Sequence, residues 1–175
     1  AAVEKGRAVA IKLAQEKTNL VLVDVNTEKL SELKDELKAY SDNVMTCECD
    51  VTDENTVYET IAEAEKVFGK IDILVNNAAL WRCWSRFVDT PTDEWKKFID
   101  VSIMGVVYFT KAVLPKMIEN GYGRIINIGS VAGVYGNANM VNYSATKGAV
   151  IAMTKALAKE VTHKGILVNA VSPGS

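Results

Sequence analysis

The alternation of short apolar runs with amphipathic stretches constrains the fold of this chain most. Five apolar runs predict β-strands, over residues 19–24, 43–50, 71–79, 123–130 and 166–174. Stretches with apolar residues at helical spacing predict helices over residues 4–17, 27–40, 53–69, 92–121 and 142–165. This order indicates βαβ units. The sequence therefore predicts an α/β fold, with a doubly wound parallel sheet in a three-layer αβα arrangement.

Cap and turn residues refine this prediction. Asp53 is placed to cap the helix over 53–69, and Gly69 is placed to end it. Pro115 lies inside the predicted helix over 92–121, where its ring and its missing N–H predict a kink or a local break. Because no repeat, low-complexity tract or linker interrupts the chain, we expect residues 1–175 to form a single domain.

The first predicted helix, over residues 4–17, has no strand before it. In a doubly wound sheet the first strand lies in the middle, at the switch point where ligands bind. The sequence begins just after the point where that strand would end. We therefore expect the first strand to be missing and interpret the chain as a fragment.

Composition and charge exclude several classes of function. The formal net charge is −2, and no basic stripe is present, so we expect no nucleic-acid partner. The apolar runs fall short of a membrane span, and the chain opens without an apolar leader, so we expect a cytoplasmic protein with no membrane partner. Three cysteines and one histidine form neither a disulfide framework nor a zinc cluster, so no metal is predicted.

Tyr143 and Lys147 are four residues apart and share one face of the predicted helix over 142–165. A neighbouring ammonium group favours the phenolate form, which prepares a tyrosine to exchange a proton with an alcohol or a ketone. Ser130 follows a predicted strand, where α/β folds bind ligands, and its hydroxyl can bond a substrate oxygen. The alternatives are an amphipathic surface pair for Tyr143 and Lys147, and a helix cap for Ser130.

Four motifs occur in order along the chain: "NNAA" at 76–79, "GS" at 129–130, "YSATK" at 143–147 and "VNAVSPG" at 168–174. Together with the thirteen-residue step from Ser130 to Tyr143, they resemble the short-chain dehydrogenase/reductase family, over nearly the whole chain. Members that are 3-oxoacyl reductases or secondary-alcohol dehydrogenases are the most similar. The resemblance implies a Rossmann-like fold and an NAD(P)-dependent enzyme acting on CH–OH groups.

The resemblance also implies roles for single residues. Tyr143 is the general acid and base, Lys147 tunes the phenol and binds ribose, and Ser130 orients the substrate. Ser102 stands where the family has a catalytic asparagine in a proton relay. The cofactor-binding residues implied by the family pattern are Gly6, Asp24, Asp50, Val51, Asn77, Ala78, Tyr143, Lys147, Pro173 and Gly174.

Asp24 bears on the choice of cofactor, since it closes the first predicted strand eighteen residues after Gly6. An acidic residue at this point bonds the adenosine ribose hydroxyl and repels a 2′-phosphate, which favours NAD over NADP. Two alternatives stay open. Asp24 can simply end the strand, and Lys5 and Arg7 can offset its repulsion of a phosphate.

Some positions depart from the family pattern. Glu4 stands at the middle glycine of the phosphate loop, Ala79 at the last residue of the usual N-N-A-G turn, and Ser102 at the asparagine. A carboxylate at position 4 brings bulk and like charge towards a pyrophosphate. Glu4, Ser102 and the ends that we expect to be missing motivate a second hypothesis, in which the chain is a non-catalytic relative, kept as a binding or scaffold subunit, or an inactive fragment.

The expected partners are a small alcohol or ketone substrate and further copies of the chain. In the resembled family, helices matching 92–118 and 142–163 commonly form a dimer contact, so we expect a homodimer or a homotetramer. The segment "LWRCWSRF" at 80–87 can line a substrate pocket, form an oligomer contact or cover a sheet edge.

Overall fold

The computed structural model describes residues 2–81 and 84–174. The strands within these ranges are β1 (Leu20–Asp24), β2 (Val44–Glu48), β3 (Ile73–Asn76), β4 (Gly123–Ile128) and β5 (Ile166–Val171). The helices are α1 (Ala2–Gln15), α2 (Thr27–Leu37), α3 (Glu54–Phe68), α4 (Thr92–Ile99), α5 (Gly105–Asn120), α6 (Ala132–Tyr135) and α7 (Val141–Val161). The predicted alternation of strands and helices is confirmed, with ends that shift by a few residues.

The strands form two parallel sheets. In the first, β1 pairs with β2, with Leu20 opposite Val44. In the second, β4 lies between β3 and β5, with Leu74 opposite Ile125 and Ile125 opposite Val168. Because all these strands run parallel, their carboxyl ends meet at one edge of each sheet.

A cavity of about 790 Å³ separates β1 from β3. Both strands contribute apolar residues to its lining, and so do α1, α2, α3 and α5. Across the described residues no strand pairs with the second edge of β1 or of β3. A doubly wound sheet places its first strand between two such edges.

Local sequence explains where two helices begin. Asp53 caps α3, because its side chain accepts the N–H groups of Asn55 and Thr56. Asn26 caps α2 in the same way, through the N–H of Lys29 at 2.9 Å. The predicted cap at Asp53 is therefore confirmed, and so is the end of α3 at Gly69, whose φ of 82° suits a residue without a side chain.

The predicted helix over 92–121 is interrupted, but not at Pro115. α5 continues through Pro115 to Asn120, whereas the interruption is a π-helical turn over Asp100–Met104, between α4 and α5. The predicted local break at the proline was therefore wrong, and the alternative of a kink there stays a prediction. Such single π turns concentrate at functional sites, and this one contains Ser102.

The main core lies between α3, α5 and the sheet of β3, β4 and β5. Its buried side chains include Val57, Phe109, Met117, Ile125 and Ile166. The helical stretch 92–120 is long and apolar enough to span a membrane by length and composition alone. Since Phe109, Val113 and Met117 of this stretch are buried in the main core, we interpret it as a core helix.

Candidate active site

Ser130 lies at the carboxyl edge of the sheet, two residues after β4 ends. The N–H of Gly129 donates to the carbonyl oxygen of Val171 at 2.8 Å and so holds this turn against β5. Ser130 Oγ accepts the N–H of Ala132 at 3.1 Å. This bond occupies acceptor capacity of the hydroxyl and leaves its proton to be donated. A substrate oxygen is the kind of acceptor that this group can serve.

α7 presents Tyr143 and Lys147 on one face, one helical turn apart. Their side chains are 8% and 4% exposed. Lys147 Nζ donates to the carbonyl oxygen of Ile128 at 2.5 Å, two residues before Ser130. Tyr143 packs in a buried cluster with Ala132, two residues after Ser130. The structure thus brings Ser130, Tyr143 and Lys147 to the same edge of the sheet.

The contact between α6 and α7 depends on Gly133. A Cβ atom at this position would lie 2.6 Å from the backbone nitrogen of Gly148 and 2.6 Å from the carbonyl carbon of Lys147. Only a residue without a side chain fits so close to another backbone. The sequence analysis did not identify Gly133, because its role depends on a neighbour fifteen positions away.

Lys147 is a buried cation. Burial lowers the pKa of its ammonium group to about 8, and the positive charge of Lys5 acts in the same direction. At pH 7 the charged form still predominates, and the carbonyl dipole of Ile128 compensates part of the lost hydration.

Ser102 is a predicted site residue whose buried hydroxyl group lacks a hydrogen-bond partner in the described part of the chain. Its side chain is 1% exposed, and its Oγ has no hydrogen-bond partner among residues 2–81 and 84–174. The π turn that carries it packs against α7. An unpaired buried hydroxyl normally costs about 1–3 kcal/mol, and a bound water is the usual remedy.

Replacing Ser102 by alanine is expected to raise the free energy of unfolding by about 1 kcal/mol, because the change removes the unpaired hydroxyl. Chemical denaturation at constant pH measures the effect. Thr154→Val is the matched control and should be destabilising, because Thr154 Oγ1 accepts from Asn127 at 2.9 Å and donates to the Val150 carbonyl. A destabilised Ser102→Ala variant would show that the hydroxyl is bonded in solution.

A buried polar network, which the sequence analysis missed, supports this edge of the sheet. Asn76 Nδ2 donates to Asn127 Oδ1 at 2.8 Å, and Asn127 Nδ2 donates to Thr154 Oγ1 at 2.9 Å. The network joins β3, β4 and α7. Asn76 was interpreted only as part of the "NNAA" turn, because a long-range bond to Asn127 leaves no local signal.

Trp81 covers one side of the tyrosine. The rings of Trp81 and Tyr143 are perpendicular, with an interplanar angle of 85° and centroids 5.1 Å apart. Of the three alternatives for the segment 80–87, this contact favours the substrate pocket. Arg82 and Cys83 of the segment lie outside the described residues.

Five of the predicted cofactor-binding residues line the cavity between β1 and β3, namely Gly6, Asp24, Val51, Asn77 and Ala78. A Cβ atom on Gly6 would lie 3.0 Å from Asn77 Nδ2, so α1 approaches the end of β3 closely. Ser130, Tyr143 and Lys147 do not line this cavity. A carboxylate, an amide and the first turns of a helix therefore meet at this cavity, a set that suits a ligand with ribose and phosphate groups.

The remaining predicted cofactor-binding residues lie outside this cavity. Asp50 Oδ1 accepts both the N–H and the hydroxyl of Thr52, which orders the turn after β2. The carbonyl oxygen of Pro173 accepts the N–H of Val131 at 3.3 Å, so the segment with Pro173 and Gly174 runs beside the Ser130 turn.

The sequence matches a family model described as short chain dehydrogenase over residues 5–175. The chain belongs to the short-chain dehydrogenase family. It is 37% identical over 169 residues to the 3-oxoacyl-acyl-carrier-protein reductase FabG of Thermotoga maritima, covering 97% of this chain and 68% of that protein. It is 35% identical to a 2-dehydro-3-deoxy-L-rhamnonate dehydrogenase (NAD(+)) of a Sphingomonas species, covering 97% of this chain and 67% of that protein.

Solved structures show the same fold. An NAD+-bound xylitol dehydrogenase superimposes with a TM-score of 0.95 at 37% identity, covering 99% of this chain and 66% of that one. ElxO with NADP bound gives a TM-score of 0.91 at 33% identity, covering 98% of this chain and 68% of that one. This short-chain dehydrogenase sequence therefore spans about two thirds of the length of the relatives it matches, and such relatives hold either nicotinamide cofactor.

Proposed function

We propose that this short-chain dehydrogenase transfers a hydride between NAD(H) and a secondary alcohol or ketone, with Tyr143 as the general acid and base. The observation that carries the proposal is the bond from Lys147 Nζ to the carbonyl of Ile128. This bond fixes the helix with Tyr143 and Lys147 to the end of β4, two residues before Ser130.

Each of the three side chains has a distinct task. The hydroxyl group of Ser130 donates a hydrogen bond to the substrate oxygen and so stabilises the charge that develops there, without giving up its proton. Tyr143 takes the hydroxyl proton of an alcohol, or gives its own proton to the oxygen of a ketone. Lys147 holds a positive charge one turn away, which favours the phenolate when the proton is on the substrate. The buried cluster with Phe98, Ala132 and Met140 holds the phenol ring in place.

The residues near Asp24, at the carboxyl end of β1, favour NAD over NADP as the cofactor. When bound, the nicotinamide supplies or accepts the hydride. Asp24 would bond the adenosine ribose, with Asn77 and the first turns of α1 near the pyrophosphate; Lys147 would reach the other ribose. Arg7, one of the two cations that could offset the charge of Asp24, pairs with Glu36 of α2. This pairing leaves the repulsion of a 2′-phosphate by Asp24 largely in force.

The cofactor preference is tested with Asp24→Ser. We expect the wild-type protein to bind NADH at least tenfold more tightly than NADPH, and the variant to lose most of this difference, because the repelling carboxylate is gone. Isothermal titration calorimetry measures both affinities. Asp50→Ser is the matched control, since it should weaken both cofactors equally. Equal wild-type affinities would contradict the assignment to NAD.

The same titration tests the second candidate function, a non-catalytic relative that acts as a binding subunit. Glu4, exposed in the first turns of α1, favours this candidate because its charge opposes a pyrophosphate nearby. Absence of binding for both cofactors would support it. Clear NADH binding supports the enzyme.

The remaining features of the proposal concern the whole protein. We propose that residues 1–175 belong to one domain, that the protein works in the cytoplasm, and that it assembles as a homodimer or homotetramer through α4, α5 and α7. The family match supports a small-molecule substrate.

A further inference from the structure

We propose that Trp81 determines substrate specificity: its indole is the wall against which a flat, uncharged, apolar substituent of the reacting carbon packs. The substrates would be aryl or similarly flat ketones and the corresponding secondary alcohols. The inference rests on the proposed function, because it places the substrate oxygen at Tyr143.

The geometry between the two rings is the first argument. The perpendicular contact at 5.1 Å covers only part of the indole, which stays 56% exposed, whereas Tyr143 is 8% exposed. Because the two ring centroids lie 5.1 Å apart, the substituents of a substrate whose oxygen bonds the phenol are within reach of the exposed part of Trp81. Aromatic rings prefer such offset or perpendicular neighbours over other surfaces of equal area.

The second argument is that the segment with Trp81 is anchored. Leu80, just before it, packs on the buried cluster that includes Phe98, Met140 and Tyr143. Further along, the N–H of Ser85 donates to the carbonyl of Asn139 at 2.9 Å, in the loop before α7. Leu80 thus fixes the chain directly before Trp81 relative to Tyr143, and the indole forms a defined wall.

The third argument is the chemistry around the phenol. The apolar side chains that pack with the phenol include Leu80, Phe98, Ala132 and Met140, and Trp81 contacts its ring, whereas Lys147 Nζ is bonded to the carbonyl of Ile128. A charged substituent placed against these side chains would lose water without gaining a partner. The wall therefore selects for uncharged, flat groups and against carboxylates.

The experiment compares kcat/KM for acetophenone, 2-butanone and 4-acetylbenzoate with NADH. We expect the wild-type protein to favour acetophenone over both other ketones. Trp81→Ala should lower kcat/KM for acetophenone about tenfold, mainly through KM, and change 2-butanone less than twofold. Trp81→Phe should keep most of the preference, because it keeps an aromatic wall.

Trp84→Ala is the matched control, since Trp84 is 70% exposed in the same segment. It should leave the ratio between acetophenone and 2-butanone unchanged. An equal loss for both ketones in Trp81→Ala, an unchanged ratio, or the same shift in Trp84→Ala would overturn the proposal.

Failure of the proposed function gives a different result from failure of this inference. If the wild-type protein reduces neither ketone, the proposed activity fails for these substrates, and saturation-transfer NMR with acetophenone and NADH then decides the binding question. The proposal is supported if saturation transfer to the protons of the acetophenone ring is strong in the wild-type protein and lost in Trp81→Ala. Equal transfer in both proteins, or none in either, overturns it.

Discussion

Replacing Tyr143 by phenylalanine is expected to lower kcat for alcohol oxidation by about 10²–10⁴, the usual contribution of a general acid or base. The variant keeps the ring, its packing in the buried cluster and its contact with Trp81. It loses only the hydroxyl that we propose exchanges the proton. Because the change is confined to one oxygen atom, a large loss of kcat reports on chemistry rather than on folding.

Steady-state kinetics measures this loss, and calorimetry with NADH checks that cofactor affinity changes by no more than a few fold. Tyr135→Phe is the control, because Tyr135 is 84% exposed on α6 and should tolerate the same chemical change without effect. Retention of wild-type kcat by Tyr143→Phe would remove the tyrosine from the mechanism, whatever the protein binds.

Gly133→Ala is expected to lower the free energy of unfolding by about 3 kcal/mol and kcat by about 10²-fold. The added Cβ would meet backbone atoms of Lys147 and Gly148 at 2.6 Å. Backbone atoms cannot rotate away as a side chain can, so α6 and α7 must move apart. That movement displaces Lys147 relative to Ile128 and Ser130.

Gly148→Ala provides the matched control on the other side of the same contact. Its Cβ would meet the carbonyl oxygen of Gly133 at 3.2 Å, which a small shift relieves. Denaturant unfolding and steady-state kinetics should rank Gly133→Ala as the more damaging change in both quantities. Equal tolerance of the two substitutions would mean that the helices separate without cost and that this contact does not position Lys147.

The elements of the fold could be predicted because their signals are local. The apolar run at 19–24 and the Asp53 cap each act within one or two turns of chain, and both are found in the structure. The break near Pro115 was misplaced for a related reason. Proline is the visible local signal, whereas the π turn at Asp100–Met104 arises where Ser102 packs against α7.

The candidate site was predictable in part. The spacing of Tyr143 and Lys147 on one helix face follows from helix geometry alone. That Lys147 reaches Ile128, that Trp81 stands beside Tyr143, and that Asn76 bonds Asn127 depend on contacts between residues far apart in the chain. No periodicity or motif encodes these pairs.

Sequence alone was sufficient for the order of strands and helices, for the family and for the candidate residues Ser130, Tyr143 and Lys147. Short-range backbone preferences and apolar periodicity carry the order of the elements, whereas the family and the candidate residues came from the motifs at 76–79, 129–130, 143–147 and 168–174 and their resemblance to a known family. Tertiary packing decided the rest, namely the cavity between β1 and β3, the close approach of Gly133 to α7 and the contact between the rings of Trp81 and Tyr143. The physical reason is that close packing and burial act between surfaces, and those surfaces exist only once the elements have assembled.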